Sequence, residues 1–144
     1  MDFHGTTEHT LDAKHRLTVP SRYRAVLAGK VFLVKGVDPC VSVFPEETYS
    51  AMIKHALSGL NALSPEARKL RRFYSSNAEL VELDSAGRVM VPRAHLQHAG
   101  IDRQAVIIGA GESLELWEPD AWAAYNSDLT AQAPELTQAL GHPA

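Results

Sequence analysis

The chain has 144 residues, 45% hydrophobic and 22% charged, the proportions of one ordinary globular domain. No apolar run approaches the ~20 residues of a membrane-crossing helix, the opening Met1-Asp2-Phe3-His4 lacks the basic-then-apolar order of a signal peptide, and one cysteine, Cys40, precludes an internal disulfide, so a cytoplasmic protein is expected. The net charge of −3 argues against a polyanionic partner until its distribution is read, because residues 1–36 carry six basic against three acidic side chains, residues 37–100 seven of each, and residues 101–144 one against seven.

Gly5 to Leu11 alternates, with enough threonine to predict a strand; Asp12 ends it and Ala13-Lys14-His15 form a tight loop. Arg16-Leu17-Thr18-Val19 then runs back as the second strand of a hairpin. Pro20 closes that strand, and Ser21 caps a short helix, Arg22 to Leu27, ending near Gly29. Strands Val31–Lys35 and Val41–Phe44 follow, joined by the turn Gly36-Val37-Asp38-Pro39, with Cys40 a small strand-end residue. Pro45-Glu46-Glu47 opens a helix with acids in its first turn, where the macrodipole favours them. Tyr49, Met52, Ile53, Ala56, Leu57 and Leu60 recur at helical spacing, a stripe suited to core or subunit packing. Ser64-Pro65-Glu66 starts a second helix bearing Arg68-Lys69-Leu70-Arg71-Arg72-Phe73-Tyr74, the densest basic run. On a helix those charges spread over several faces, and a solvated surface or ion pairs explain them as readily as phosphate contact does.

The second half repeats the plan. Leu80–Leu83 and Arg88–Val91 flank the loop Ser85-Ala86-Gly87, where glycine suits a positive φ. Pro92 opens a helix through Ala99 that Gly100 stops, and strands Ala105–Ile108 and Ser113–Trp117 are joined by Gly109-Ala110-Gly111-Glu112. Glu118-Pro119-Asp120 starts a last helix carrying Trp122, Tyr125 and Leu129. From about Thr130 the Ala, Gln and Pro content predicts a frayed tail, 130–144, of no assigned role. The correspondence is closest at Asp12–Pro20 and Asp84–Pro92, 72 positions apart, both Asp-x-x-x-Arg, apolar, any residue, Val, Pro. Val31–Val34 answers to Val106–Ile108, and Val41–Phe44 to Leu114–Trp117. An internal repeat of this kind predicts one domain over 1–129, made of two equivalent halves, about 6–50 and 78–122, joined by a helical segment 46–76.

Across a hairpin, Asp12 would face Arg16 and Asp84 would face Arg88. Opposite charges so placed stabilise a strand pair by roughly 0.2–1 kcal/mol, and each pair then simply pins its turn. Alternatively the tip projects Lys14 and Arg16 towards phosphates or base edges, with aspartate orienting the arginine; a two-stranded ribbon fits the major groove, and arginine binds guanine bidentately. Both readings stand on the residues alone. Arg22 and Arg24, just beyond Pro20, add cations to the first copy, and Arg93 is their one counterpart in the second.

The chain resembles the MraZ transcriptional regulators of the AbrB-like superfamily over roughly residues 1–125. The likeness rests on Phe3-x-Gly5, Thr10-Leu11-Asp12-x-Lys14-x-Arg16 with Pro20, Arg71-Arg72, and Asp84-x-x-Gly87-Arg88-Val89-x-Val91-Pro92. It implies an α+β fold, a pseudo-twofold β-barrel of two swapped hairpins with helices outside. It also implies a homo-oligomeric ring that binds direct DNA repeats upstream of the division and cell-wall gene cluster, in the cytoplasm and on the nucleoid. The family's Asp-x-x-x-Arg segment, associated with DNA binding, maps onto Asp12–Arg16 and Asp84–Arg88. The DNA-contacting set it suggests is Lys14, His15, Arg16, Arg22, Arg24, Arg88 and Arg93, oriented by Asp12 and Asp84. Position 15 departs from the family's usual glycine, and His15 is expected to alter the first loop or to contact phosphate itself.

Other classes find less support. His95 and His98 are three apart on one helix but lack a nearby cysteine or clear carboxylate, and His4, His9, His15, His55 and His142 fall at no ligand spacing, so no metal or other cofactor is expected. Gly109-x-Gly111 is a turn and not a dinucleotide loop, while Ser75-Ser76 and Cys40 have no base at a recognisable spacing. No enzyme, small-molecule substrate or membrane partner is therefore expected. A protein-binding module, such as an antitoxin with a tail that folds on its partner, is the remaining rival.

Overall fold

The computed structural model describes residues 2–27 and 29–141. Eight strands and five helices follow one another as β1 (Thr6–Thr10), β2 (Arg16–Thr18), α1 (Ser21–Leu27), β3 (Lys30–Lys35), β4 (Val41–Pro45), α2 (Glu46–Leu57), α3 (Pro65–Ser76), β5 (Ala78–Glu82), β6 (Arg88–Met90), α4 (Arg93–Ala99), β7 (Gln104–Gly109), β8 (Leu114–Trp117) and α5 (Pro119–Ala139). The architecture is a mixed α+β fold with antiparallel pairing between all its strands.

A six-stranded sheet runs β1-β7-β8-β4-β3-β5, and β2 pairs with β6 as a separate two-stranded ribbon. Replacing each strand by its counterpart in the other half reverses that order onto itself. Neither Asp-x-x-x-Arg segment is thus the tip of a hairpin: β1 pairs with β7 and β5 with β3, while β2 and β6 pair with each other. The physical reason is burial. Leu17, Val19, Val89 and Val91, each 1–2% exposed, join residues of both halves in one core. A half closed on itself would leave that apolar set without a second layer. The sheet also stays open between β1 and β5, where the resemblance implies a closed barrel. The ribbon packs against both of these edge strands and stands in the gap.

The central strands are covered on both faces and read as apolar runs. Val31 and Leu33 of β3 point into the main core, and so do Ala105 and Ile107 of β7. Their outward neighbours lie under helices. Val34 and Phe44 pack with Tyr49 of α2, and Val106, Ile108 and Trp117 pack with Cys40 and with Ala121 and Trp122 of α5. Ser64 caps α3 by accepting from the Ala67 N–H at 3.1 Å, and Gly100 ends α4 at φ 67°, both as expected. The helix α5 continues through Ala139, so over Thr130–Ala139 the expected tail is helical. Ala, Gln, Leu and Glu are strong helix formers, and Pro134 removes only one donor from the ladder.

Candidate functional site

Both Asp-x-x-x-Arg loops are closed by the same bonds. Asp12 Oδ1 accepts from the backbone N–H groups of Lys14 and Arg16 at 2.9 Å each, and Oδ2 accepts from Arg16 Nε at 2.7 Å. Asp84 repeats this with the N–H groups of Ala86 and Arg88 at 2.9 Å each, and with Arg88 Nε at 2.8 Å. The backbones close too, Asp12 N–H donating to the Arg16 carbonyl at 3.0 Å and Asp84 N–H to that of Arg88 at 2.9 Å. The Arg16 backbone N–H, aided by its guanidinium and the Lys14 N–H, holds the Asp12 carboxyl down at about 2 against the opposing effect of desolvation. The same set around Arg88 lowers Asp84. Each arginine is thereby fixed through Nε, and among the described residues its terminal nitrogens bond no protein group.

The ribbon register decides where these arginines face. Arg16 lies opposite Met90, Leu17 opposite Val89 and Thr18 opposite Arg88. Leu17 and Val89 are buried, so alternation turns Arg16, Thr18, Arg88 and Met90 to the other face together. Arg16 and Arg88 are diagonal neighbours there, at a separation of roughly 7–8 Å by strand geometry. Their side chains keep 26% and 36% of their surface exposed. Thr18 and Met90 were not singled out from the sequence, although stepping two residues from each arginine finds them.

His15 takes a left-handed conformation, φ 59°, as Gly87 does at 75°. Val91 N–H donates to the His15 carbonyl at 3.0 Å, and Val19 N–H to the Gly87 carbonyl at 2.9 Å, so the first loop keeps the shape of the second despite its histidine. Lys14 and His15 are exposed on it. Arg24 donates from Nε to the Val19 carbonyl at 3.0 Å and lies across Gly87, where an added Cβ would stand 2.2 Å from Nε. The cation read as help for the first loop therefore sits on the second. Arg22 turns elsewhere, over the Tyr23 ring at 4.7 Å and beside Gly5. Arg93 is exposed at the start of α4, with no hydrogen bond or ion pair to either loop among the described residues.

Two of the histidines have structural partners. His95 is buried with Nε2 on the Leu33 carbonyl at 3.0 Å, and half-buried His98 sets Nε2 on that of Asp38 at 3.1 Å. Among the described residues no three His, Cys, Asp or Glu side chains gather in a metal-holding group, and no helix is long and apolar enough to cross a membrane. The surface thus offers paired, pre-oriented cations, which suits electrostatic recognition of an anionic or acceptor-rich partner.

A family model described as "MraZ protein, putative antitoxin-like" matches residues 3–73 and residues 75–139. The chain is 33% identical over 138 residues to a Thermomicrobium roseum protein named "Transcriptional regulator MraZ", covering 96% of each. Proteins of that name from Heliobacterium modesticaldum and Corynebacterium glutamicum are each 36% identical, over 139 residues (96% of each chain) and 129 residues (90% of each). Those names describe regulators and not enzymes. Matched through both halves, and along nearly the full length of such relatives, the chain belongs to the MraZ family.

Proposed function

We propose that the chain is a sequence-specific DNA-binding transcriptional regulator that contacts double-stranded DNA through the outward face of the β2–β6 ribbon. The observation that carries this is the placement of Arg16 and Arg88 on one face, each held at Nε by its aspartate with its terminal nitrogens unbonded among the described residues. Pre-orientation lowers the ordering cost of a bidentate contact to phosphate or guanine. Lys14 extends the cationic surface at one loop, with exposed His15 beside it, and Arg24 at the other, while Arg22, turned towards Tyr23 and Gly5, and exposed Arg93 are outlying contacts in this reading. Strand exchange between the halves supports the swapped-hairpin description of the scaffold.

A single copy offering two to four phosphate contacts binds weakly, with a log–log salt slope of about −0.9 per contact. A homo-oligomeric ring engaging direct repeats would gain on the order of 10²–10⁴ in avidity. The proposed target is the promoter region of the division and cell-wall gene cluster, and the proposed location the nucleoid. Fluorescence anisotropy on a repeat-bearing duplex tests this, with Arg16→Ala and Arg88→Ala each expected to weaken binding about tenfold or more, Arg16 the more. Circular dichroism accompanies each variant. Full binding by both variants, or their unfolding, would leave the ion pairs as turn pins only.

A further inference from the structure

The two halves differ in what covers their outer helices. Helix α2 follows β4 as α5 follows β8, and α3 packs along α2. No helix follows α5 among the described residues, and none of its 21 residues is buried. It is attached by Ala121 and Trp122 and by the Tyr125 ring, 4.8 Å from that of Trp117. A helix of that length extends about 30 Å, so most of it has no neighbour. Yet it carries an apolar seam. Trp122, Tyr125, Leu129 and Leu136 recur at helical spacing, continued by Leu140 at the C-cap, and Leu136 and Leu140 are 47% and 75% exposed. Asp128 and Glu135, seven residues apart, border the seam on one flank.

Helix α3 has the complementary surface. Leu70 and Phe73 are each 39% exposed, with Lys69 and Arg72 beside them. Phe73 also roofs an apolar cavity of about 110 Å³ lined by Val37, Phe44, Tyr49 and Met52. Helix α3 carries four cations and one acid, α5 three acids and no cation. None of Lys69, Arg72, Asp128 and Glu135 has an ion-pair partner among the described residues. Within one chain α3 lies against α2 and β5 and α5 against β7, at separate places on the sheet. Pairing α5 with α5, or α3 with α3, would set like charges together. We infer that α5 of one copy docks along α3 of the next, its seam on Leu70 and Phe73 and its acids on Lys69 and Arg72. Such a contact is head-to-tail, the kind that generates rings. It deepens the homo-oligomer proposed above and rests on it.

Sedimentation velocity on the full chain tests the contact, with circular dichroism to confirm folding. Asp128→Lys with Glu135→Lys is expected to raise the concentration of half-assembly at least tenfold, and Lys69→Glu with Arg72→Glu to do the same. Combining all four substitutions is expected to restore assembly. Reversals that leave the mass unchanged would overturn this contact while the oligomer stands. So would a four-residue variant that stays dissociated, or a Lys69/Arg72 reversal that changes only DNA affinity. A wild-type chain monomeric at every concentration would remove the ring itself.

Discussion

His15 and Gly87 stand at equivalent left-handed positions, and the carbonyl of each accepts from the valine that directly follows the ribbon strand of the opposite half. They are not interchangeable, because Gly87 lies under the Arg24 side chain and has no room for a Cβ. Gly87→His is therefore expected to cost ~1–3 kcal/mol through strain and the displaced guanidinium. His15→Gly should shift stability by less than about 1 kcal/mol, since relief of left-handed strain offsets added freedom in the unfolded chain. Urea denaturation of both variants measures the contrast, and equal effects would show that Arg24 yields freely.

The aspartates predict an acid limb. Both favour their charged form in the folded chain, so what they contribute is complete above the ordinary value of 3.8 and is lost as pH falls, towards about 2 for Asp12. The difference in urea midpoint between wild type and Asp12→Asn should be constant near neutrality and close through that window. A gap that persists at the acid end would mean that the charge of Asp12 is irrelevant to the loop.

His95 acts higher on the pH scale. Burial, the largest influence, lowers it from 6.5 against the opposing pull of the Leu33 carbonyl on Nε2, and among the described residues Nδ1 has no hydrogen-bond partner. The unfolded chain then takes up more protons, so stability falls as pH drops through 6.5 and continues down to the folded value. His95→Gln removes that proton uptake and should flatten the stability profile as pH falls below 6.5. A profile as steep as wild type would assign the dependence elsewhere.

Cys40 is expected to be inert. It is buried with Trp117, and desolvation, the main influence, together with nearby Glu115, pushes its thiol up to about 12. A thiol-specific disulfide reagent at about pH 8 should find no reactive group in the folded chain and one equivalent in denaturant. Rapid modification without denaturant would contradict the packing around it.

Much of this was legible beforehand. The Ser64 cap and the stop at Gly100 follow from local chemistry and appear where expected. The pairing of Asp12 with Arg16 was legible as well, but its setting was not. Three loop residues suggest a hairpin, whereas β1 finds its partner in β7, because the choice depends on burying Leu17 and Val89 together across the molecule. Arg22 and Arg24, two apart, diverge because a helix turns ~200° between them. Sequence proximity to Pro20 assigned them to one site, and helical geometry sends Arg24 to the other loop. The Ala, Gln and Pro content after Thr130 points to a frayed tail, whereas α5 continues to Ala139 because Ala and Gln are themselves strong helix formers.

The strand exchange also bears on synthesis. Thr6 pairs with Ile108, and Thr10 with Gln104. A nascent chain that has released only its first half holds β1 without a ladder partner and β2 without β6 until β6 and β7 emerge. Contacts this distant in sequence make folding slow, so neither half reaches its native form before the strands of the other have left the ribosome.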